Sequence, residues 1–335
     1  MIGARRRIGL VINPSAGTGR GEQVASDVRA ALDDDATAVV DLTDSDALGA
    51  AARAREAVTA GSIDALVVVG GDGMAHLGIN VVAGTPVPLG LVSVGSGNDL
   101  ARALGLPMND HAASLALVRA ALDPAHPVAA PRQLDAIRVT PAPGPGEPRS
   151  IGIVPDSPHV RWAASSVVVG FAAAVNLAAN SYRRPRGSAK YLRAVVAETA
   201  RFTPYGMATS VDGEPWSGPA TLLTLANAPL FGGGLPVAPD AVPDDGLMDV
   251  VHIDAVGRAQ ISTLFPRFAR GTHVSLDQVT ITRAAEVVVG QSPEHGRALP
   301  IAMADGESVG PLPLAATIVP SAWRLLAPLA PNLEA

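Results

Sequence analysis

Short apolar runs alternate with segments of helical period over the first 130 residues. Arg7–Asn13, Val39–Leu42, Ala65–Gly70 and Pro88–Val94 are short, rich in β-branched and aliphatic residues, and bounded by Gly, Asn or Pro, which predicts buried strands. Between them the spacing predicts helices ending near Leu32 and Ala60, then over Met74–Val82, Leu100–Leu104 and Asp110–Leu122; Thr43 or Ser45 is placed to cap the second of these. Strands alternating with helices predict a Rossmann-like parallel α/β domain over residues 1–130. From Arg132 the pattern changes to short strands at Leu134–Thr140, Arg161–Gly170, Met207–Val211, Thr221–Ala226, Met248–Ile253, Gln278–Val289, Pro300–Ala304 and Leu312–Val319, the pattern of an antiparallel sandwich or barrel over 131–319. Helices are predicted inside it at Ser188–Ala200 and Arg258–Phe268, and a turn and helix at Ser321–Leu329 that brings 320–335 back onto the first domain. The six prolines of Pro141–Pro158 mark an extended loop.

The length of 335 residues fits two domains, and 48% hydrophobic residues suffice to fill both cores. With no cysteine, a disulfide framework and thiol catalysis are excluded, and a cytoplasmic setting is expected. The basic start, MIGARRRIGLVIN, breaks at Asn13-Pro14 without a small-residue cleavage site, so it reads as a strand and not a signal peptide. The apolar run Trp162–Val175 is too short to span a bilayer. A net charge of -6 and 3% aromatic residues argue against a nucleic-acid partner. Lys190 is the only lysine, which removes the Walker A motif and the lysine-based protein-kinase site; phosphate binding has to rest on backbone amides, metal and arginine.

Three predicted strands end in small polar turns: Asn13-Pro14-Ser15-Ala16-Gly17 and on to Gly21; Gly70-Gly71-Asp72-Gly73, followed by Met74, Ala75 and His76; and Gly95-Ser96-Gly97-Asn98-Asp99. In a parallel sheet these ends share one edge, and glycine turns followed by helix N-termini can cradle a polyphosphate. The first turn is not a dinucleotide fingerprint, because Glu22 stands where the third glycine is needed. Taken singly, each turn is also an ordinary βα connection. Asp240, Asp244, Asp245 and Asp249 crowd one loop, a density of hard oxygens that suits magnesium or calcium; Pro-Asp-Asp-Gly is equally a plain turn. Asp305 and Glu307, read as two apart on a strand, would share a face, although a second Asp-Gly-Glu at 212–214 shows that the tripeptide is common. Arg183, Arg184, Arg186 and Lys190 form the one dense basic patch, suited to anionic headgroups or to solvent.

INPSAGTGRG at 12–21, VVVGGDGMAHLGIN at 67–80 and PLGLVSVGSGNDLARALGLP at 88–107 resemble the nucleotide loops of the diacylglycerol kinase catalytic-domain family, which includes bacterial lipid kinases and sphingosine kinases and is distantly related to NAD kinases. NAPLFGGG at 227–234, APDAVPDDGLMDVV at 238–251 and ADGESVG at 304–310 resemble its later motifs, in the same order along nearly the whole chain. The resemblance implies a Rossmann-like first domain, a β-sandwich second domain and ATP in the cleft between them. It implies that Asn13, Thr43, Gly70–His76 and Ser96 surround the nucleotide, that Asp72 acts through Mg2+ and its waters, and that Glu307, with Asp305 beside it, accepts the proton of a lipid hydroxyl. It further implies a structural magnesium held by the Asp245 side chain and the carbonyls of Val242 and Leu247. The partner would be a diacylglycerol-like membrane lipid met in transient, peripheral contact with the membrane surface; a homodimer is compatible with it.

The chain departs from the family pattern at Met74, His76 and Leu77, which replace Thr, Asn and Glu. His76 could donate in place of an amide, though a lone helical histidine is commonly satisfied locally. In GFAAAVNLAANSYRRPRG at 170–187 the family's usual Asp is missing, with Ala172, Ala173 and Ala174 at the candidate positions, which favours a neutral acceptor over a sphingoid base. Two other readings stand beside the lipid kinase: a nucleotide-binding homologue without transfer activity, and an NAD kinase-like enzyme with a soluble acceptor.

Overall fold

The computed structural model of the chain describes residues 5–13, 21–143, 160–182, 184 and 188–329. These fall into two compact units, one formed by the residues up to Leu134 together with those from Ser321, the other by Asp135–Pro320.

In the first unit, β1 (Arg6–Ile12), α1 (Gly21–Leu32), β2 (Thr37–Asp41), α2 (Ala47–Thr59), β3 (Ala65–Gly70), α3 (Asp72–Val82), β4 (Leu89–Ser93), α4 (Asp99–Ala103) and α5 (His111–Leu122) follow in order. β2, β1, β3 and β4 lie side by side, each pair parallel. All of β3 and β4 is buried, as continuous apolar runs covered by helices on both faces require. Ile8, Leu10, Ile12, Val67 and Val69 pack with Val24, Val28, Leu115 and Val118 of α1 and α5. The opposite face takes α3, where Gly78 lets the helix approach Leu89 and Val68.

The second unit contains β5 (Ala129–Pro141), whose first residues belong to the first unit, then β6 (Arg161–Ala163), β7 (Ser166–Gly170), α6 (Phe171–Ser181), α7 (Ser188–Ala200), β8 (Tyr205–Val211), β9 (Glu214–Ala226), β10 (Leu230–Phe231), β11 (Leu235–Pro236), β12 (Met248–Asp254), α8 (Arg258–Phe268), β13 (Val279–Ala284), β14 (Glu286–Gln291), β15 (Ala302–Ala304), β16 (Glu307–Gly310) and β17 (Leu314–Pro328). β9 pairs with β8 over its first half and with β7 and β12 over its second, so it belongs to both antiparallel ladders of a β-sandwich. Strand alternation sorts the core. Val167, Val169 and Val250 point into one cluster with Met207, Leu223, Val287 and Leu314; Val168, Val251 and Ile253 point into another beneath α6 and α8, with Ala172, Ala173, Ile261 and Leu264.

Most predicted elements form within a residue or two of their expected bounds; β5 and β9 begin five and seven residues earlier than expected, and five further corrections follow. The C-terminal segment returns to the first unit as a strand and not a helix: β17 pairs antiparallel with β14 in its first half and parallel with β4 at Leu325. Neither Thr43 nor Ser45 caps α2; Asp46 does, accepting from the Gly49 N–H at 2.8 Å. Arg161–Gly170 is broken at Ala164 and Ser165, and Gln278–Val289 at Ala285. Helix α6 was not foreseen at all. Of the Pro141–Pro158 loop, residues 144–158 lie outside the described residues, as do Pro14, Gly17, Arg183 and Arg186.

Candidate functional site

In the first unit, the ends of β1, β3 and β4 bring most of the predicted nucleotide residues together. The Asn13 N–H donates to the Val69 carbonyl at 3.0 Å, and the Val94 N–H to the Gly70 carbonyl at 2.9 Å. Thr43 accepts the Ile12 N–H on Oγ1 at 3.1 Å, which fixes the end of β2 against β1. Asp72 then ties the two glycine turns into one. Its Oδ2 accepts the Asn98 N–H at 2.8 Å and its Oδ1 the Asp99 N–H at 2.7 Å. Asn98, buried and left-handed at φ 56°, closes its own turn by accepting from the Gly95 N–H and donating to the Gly95 carbonyl.

The glycines are required by this contact between turns. A Cβ on Gly95 would sit 2.4 Å from the Gly71 Cα, and one on Gly97 2.5 Å from Asp72 Oδ2. A Cβ on Gly70 would meet Met74 Cγ at 2.4 Å, so Met74 fills the space that glycine leaves. Met74, Ala75 and Leu77 are buried in α3, and His76 is held along its own helix by Asn80, whose amide donates to the His76 carbonyl and meets its Nε2. Gly73 and Ser96 are exposed beside this knot. Of the first N–H groups of α3, those of Met74 and Ala75 donate to the Gly71 carbonyl, which leaves those of Asp72 and Gly73 without an acceptor inside the helix.

Burial, followed by the neighbouring charge of Asp99, pushes the Asp72 carboxyl above its ordinary pKa, against the lowering effect of its main-chain donors. Two carboxylates crowded in this way leave negative charge that a divalent cation would neutralise, so Asp72 and Asp99 fit the Mg2+ that the motif implies.

The second unit corrects the expected geometry of Asp305 and Glu307. They do not lie two apart on a strand: Asp305 at φ 49° and Gly306 at φ 88° form the turn between β15 and β16, and Glu307 opens β16. Asp305 Oδ2 accepts the Ala164 N–H at 2.8 Å, and its Oδ1 accepts from Ser165 at 2.9 Å and Ser166 at 3.0 Å. A carboxylate held by three main-chain donors anchors the hairpin and is no longer a candidate proton acceptor. Glu307, the first residue of β16, is exposed. Asn180 of α6 donates to the Gly306 carbonyl at 3.0 Å.

Two residues missed in the sequence support this hairpin. Asn227 donates to the carbonyls of Asp135 and Ala164 at 3.0 and 2.8 Å, and its own N–H reaches the Ser165 carbonyl. Asp135, 3% exposed, accepts the Gly246 N–H at 2.7 Å and donates its N–H to the Pro243 carbonyl. Its signal was a lone carboxylate in the apolar run Leu134-Asp135-Ala136-Ile137.

Asp135 thereby shapes the Val242–Leu247 turn. Asp245 accepts the Leu247 N–H on Oδ1 at 3.1 Å and the Arg283 guanidinium on Oδ2. Among the described residues no three His, Asp or Glu side chains gather as a metal cluster. The turn offers one carboxylate and main-chain carbonyls, hard oxygens that suit Mg2+ or Ca2+, and a guanidinium stands in for the cation.

Comparison with known proteins agrees with this fold. Residues 7–130 match the diacylglycerol kinase catalytic domain model, and residues 165–327 the YegS C-terminal NAD kinase beta sandwich-like domain model. The chain is 32% identical over 329 residues to a diacylglycerol kinase of Mycobacterium tuberculosis, covering 97% of each, and 28% identical to a probable lipid kinase YegS-like of Xanthomonas oryzae pv. oryzae over 70% of each. The fold is that of a diacylglycerol kinase crystal structure from Bacillus anthracis str. Sterne, with a TM-score of 0.63 at 16% identity over 97% of this chain and 98% of the other. This chain belongs to the diacylglycerol kinase catalytic-domain family of lipid kinases.

Proposed function

We propose that the protein transfers the γ-phosphoryl group of ATP to a hydroxyl of a diacylglycerol-like lipid in a Mg2+-dependent reaction. The observation that carries this reading is the knot at Asp72, which joins the two glycine turns into a single amide-lined edge beside Asn13 and Thr43. Mg2+, when bound, neutralises charge on the phosphates. Asn13, the Gly70–His76 segment and the Gly95–Asp99 turn hold and orient the nucleotide, and Asp72 and Asp99 would hold the ion. Glu307 accepts the acceptor's proton as the lipid oxygen bonds to phosphorus and ADP leaves with the electron pair of the broken P–O bond. A second ion would be held by Asp245 with the carbonyls of Val242 and Leu247.

A neutral acceptor is favoured because Ala172, Ala173 and Ala174 are buried at the start of α6 and supply no carboxylate for a sphingoid amine. Met74 and Leu77 give no support to a transfer-dead homologue, since both are ordinary core residues of α3. Among the described residues no helix is long and apolar enough to cross a membrane. Peripheral contact is supported by α7, where Leu192 and Val196, one turn apart, are 58% and 63% exposed on a helix that also carries Lys190 and Arg193.

The test is transfer from labelled ATP in mixed micelles. Label is expected in phosphatidic acid with diacylglycerol and not with sphingosine or NAD, and Glu307→Gln should lower the rate by about 10²–10⁴ with ATP binding unchanged. Tight ATP binding without product on any acceptor would overturn the reading in favour of a binding module.

A further inference from the structure

The Val242–Leu247 turn is a charged junction with its own cation. Asp249 of β12 stands directly opposite Arg283 of β13 in the antiparallel register. Arg283 reaches along the turn to Asp245, while Asp135 holds Gly246 from the other side and Gly246 takes the left-handed φ of 79° that the bend needs. Asp245 and Asp249 therefore flank one guanidinium, which is itself about half exposed.

We propose that Arg283 is a built-in competitor for the divalent ion at this turn: it holds Asp245 whenever no ion is bound, so that the turn keeps its shape without metal and binds the ion more weakly than its oxygens alone would. This inference rests on the metal-binding part of the function proposed above. Its physical basis is simple. An ion entering the turn must take Asp245 Oδ2 from the guanidinium and then tolerate a unit positive charge about one side-chain contact away. That repulsion lowers affinity for a dication by roughly tenfold even at the dielectric of water. Conversely, a chain lacking the guanidinium leaves Asp245 and Asp249 uncompensated until a metal arrives.

The experiment is isothermal titration of MgCl2 and CaCl2 into the full chain, with thermal unfolding in EDTA as a second readout that does not depend on activity. Arg283→Met keeps the aliphatic stem against the strand and removes the charge. It is expected to bind the ion about tenfold more tightly than the wild type, to unfold at a lower temperature in EDTA, and to recover when the ion is added. The wild type should gain less in unfolding temperature from EDTA to Mg2+ than Arg283→Met does. Asp245→Asn should abolish the titration in both backgrounds. Equal affinities in wild type and Arg283→Met, with the signal still lost in Asp245→Asn, would overturn the role of Arg283 and leave the metal site standing. No Asp245-dependent binding in either chain would remove the metal site and the inference together.

Discussion

The sequence Asp-Gly-Glu occurs twice, and both copies fold into the same hairpin. Asp212 and Gly213 take φ of 46° and 94°, Asp305 and Gly306 take 49° and 88°, and in both cases the glutamate opens the outgoing strand. This is the left-handed pair that an Asp-Gly hairpin turn prefers. Each aspartate also accepts main-chain N–H groups from a segment outside its own hairpin, Asp212 from Ala285 and Glu286, Asp305 from Ala164, Ser165 and Ser166. What differs is the segment that is held. Asp212 fastens an exposed connection between two strands. Asp305 fastens a buried one that also bears Asn227, with Asn180 on its Gly306 carbonyl, so that the four-residue strand carrying Glu307 is braced on two sides. The tripeptide specifies a turn, and the surrounding polar belt is what distinguishes one of the two turns from the other.

The comparison breaks most visibly at the two aspartates. Asp305→Ala removes an anionic acceptor from three main-chain donors whose residues are at most 5% exposed, at a cost of about 3 kcal/mol or more. Asp212→Ala removes it from donors near solvent and should cost about 1 kcal/mol. Both substitutions place Ala at a positive φ, so that penalty, roughly 1 kcal/mol, is common to the pair and cancels in the difference. Urea unfolding at unchanged m-value measures it. Equal losses would mean that burial of Ala164–Ser166 adds nothing and that the two hairpins are equivalent anchors.

How much of this the sequence disclosed depends on what set each feature. The βα order of the first unit was legible because its strands are unbroken apolar runs punctuated by glycine, and the three loop motifs follow from where parallel strands end. The Ser321–Leu329 segment was misread because Ala322, Trp323, Leu325, Leu326 and Ala327 are buried around an exposed Arg324, a spacing that a buried strand and an amphipathic helix share. Helix α6 escaped because β7 runs into it without a polar break; only Gly170, at φ 78° and ψ -133°, marks the corner. Within the site, Asp305 was paired with Glu307 on the assumption of a strand. Its three acceptor bonds come from residues about 140 positions away, which no local pattern encodes.

A smaller effect sharpens the functional side of the comparison. Asn180→Ala deletes the donor on the Gly306 carbonyl and leaves the Asp305 anchor intact. Because Asn180 is exposed, stability should change by no more than about 1 kcal/mol. If that hydrogen bond positions Glu307, kcat for phosphoryl transfer falls by about 3- to 10-fold with KM for ATP unchanged, and Asn180→Gln fails to restore it because the longer side chain overshoots the turn. A fall in KM or in stability alone would make Asn180 a structural brace only.

The smallest effect belongs to the Asp212 hairpin and appears as a pH dependence. Trp216, on the strand that Glu214 opens, packs edge-on against His252, with ring centroids 4.5 Å apart. Burial lowers the pKa of His252, Asp254 at 3.6 Å from its Nδ1 opposes this only in part, and its buried Nε2 has no hydrogen-bond partner among the described residues. His273, stacked on Phe268, is lowered for the same reason. A histidine with a depressed folded pKa binds its proton more readily when the chain is unfolded. Stability is therefore complete above the ordinary histidine value of about 6.5 and is lost as pH falls from there toward the folded pKa, with a slope of at most about 1.4 kcal/mol per pH unit for each ring. His252→Gln removes its share of that slope, so the unfolding midpoint should vary less between about pH 7 and 5.5 than in the wild type. An unchanged stability profile would show that the His252 ring titrates alike in both states, and that the Trp216 contact does not keep it from water.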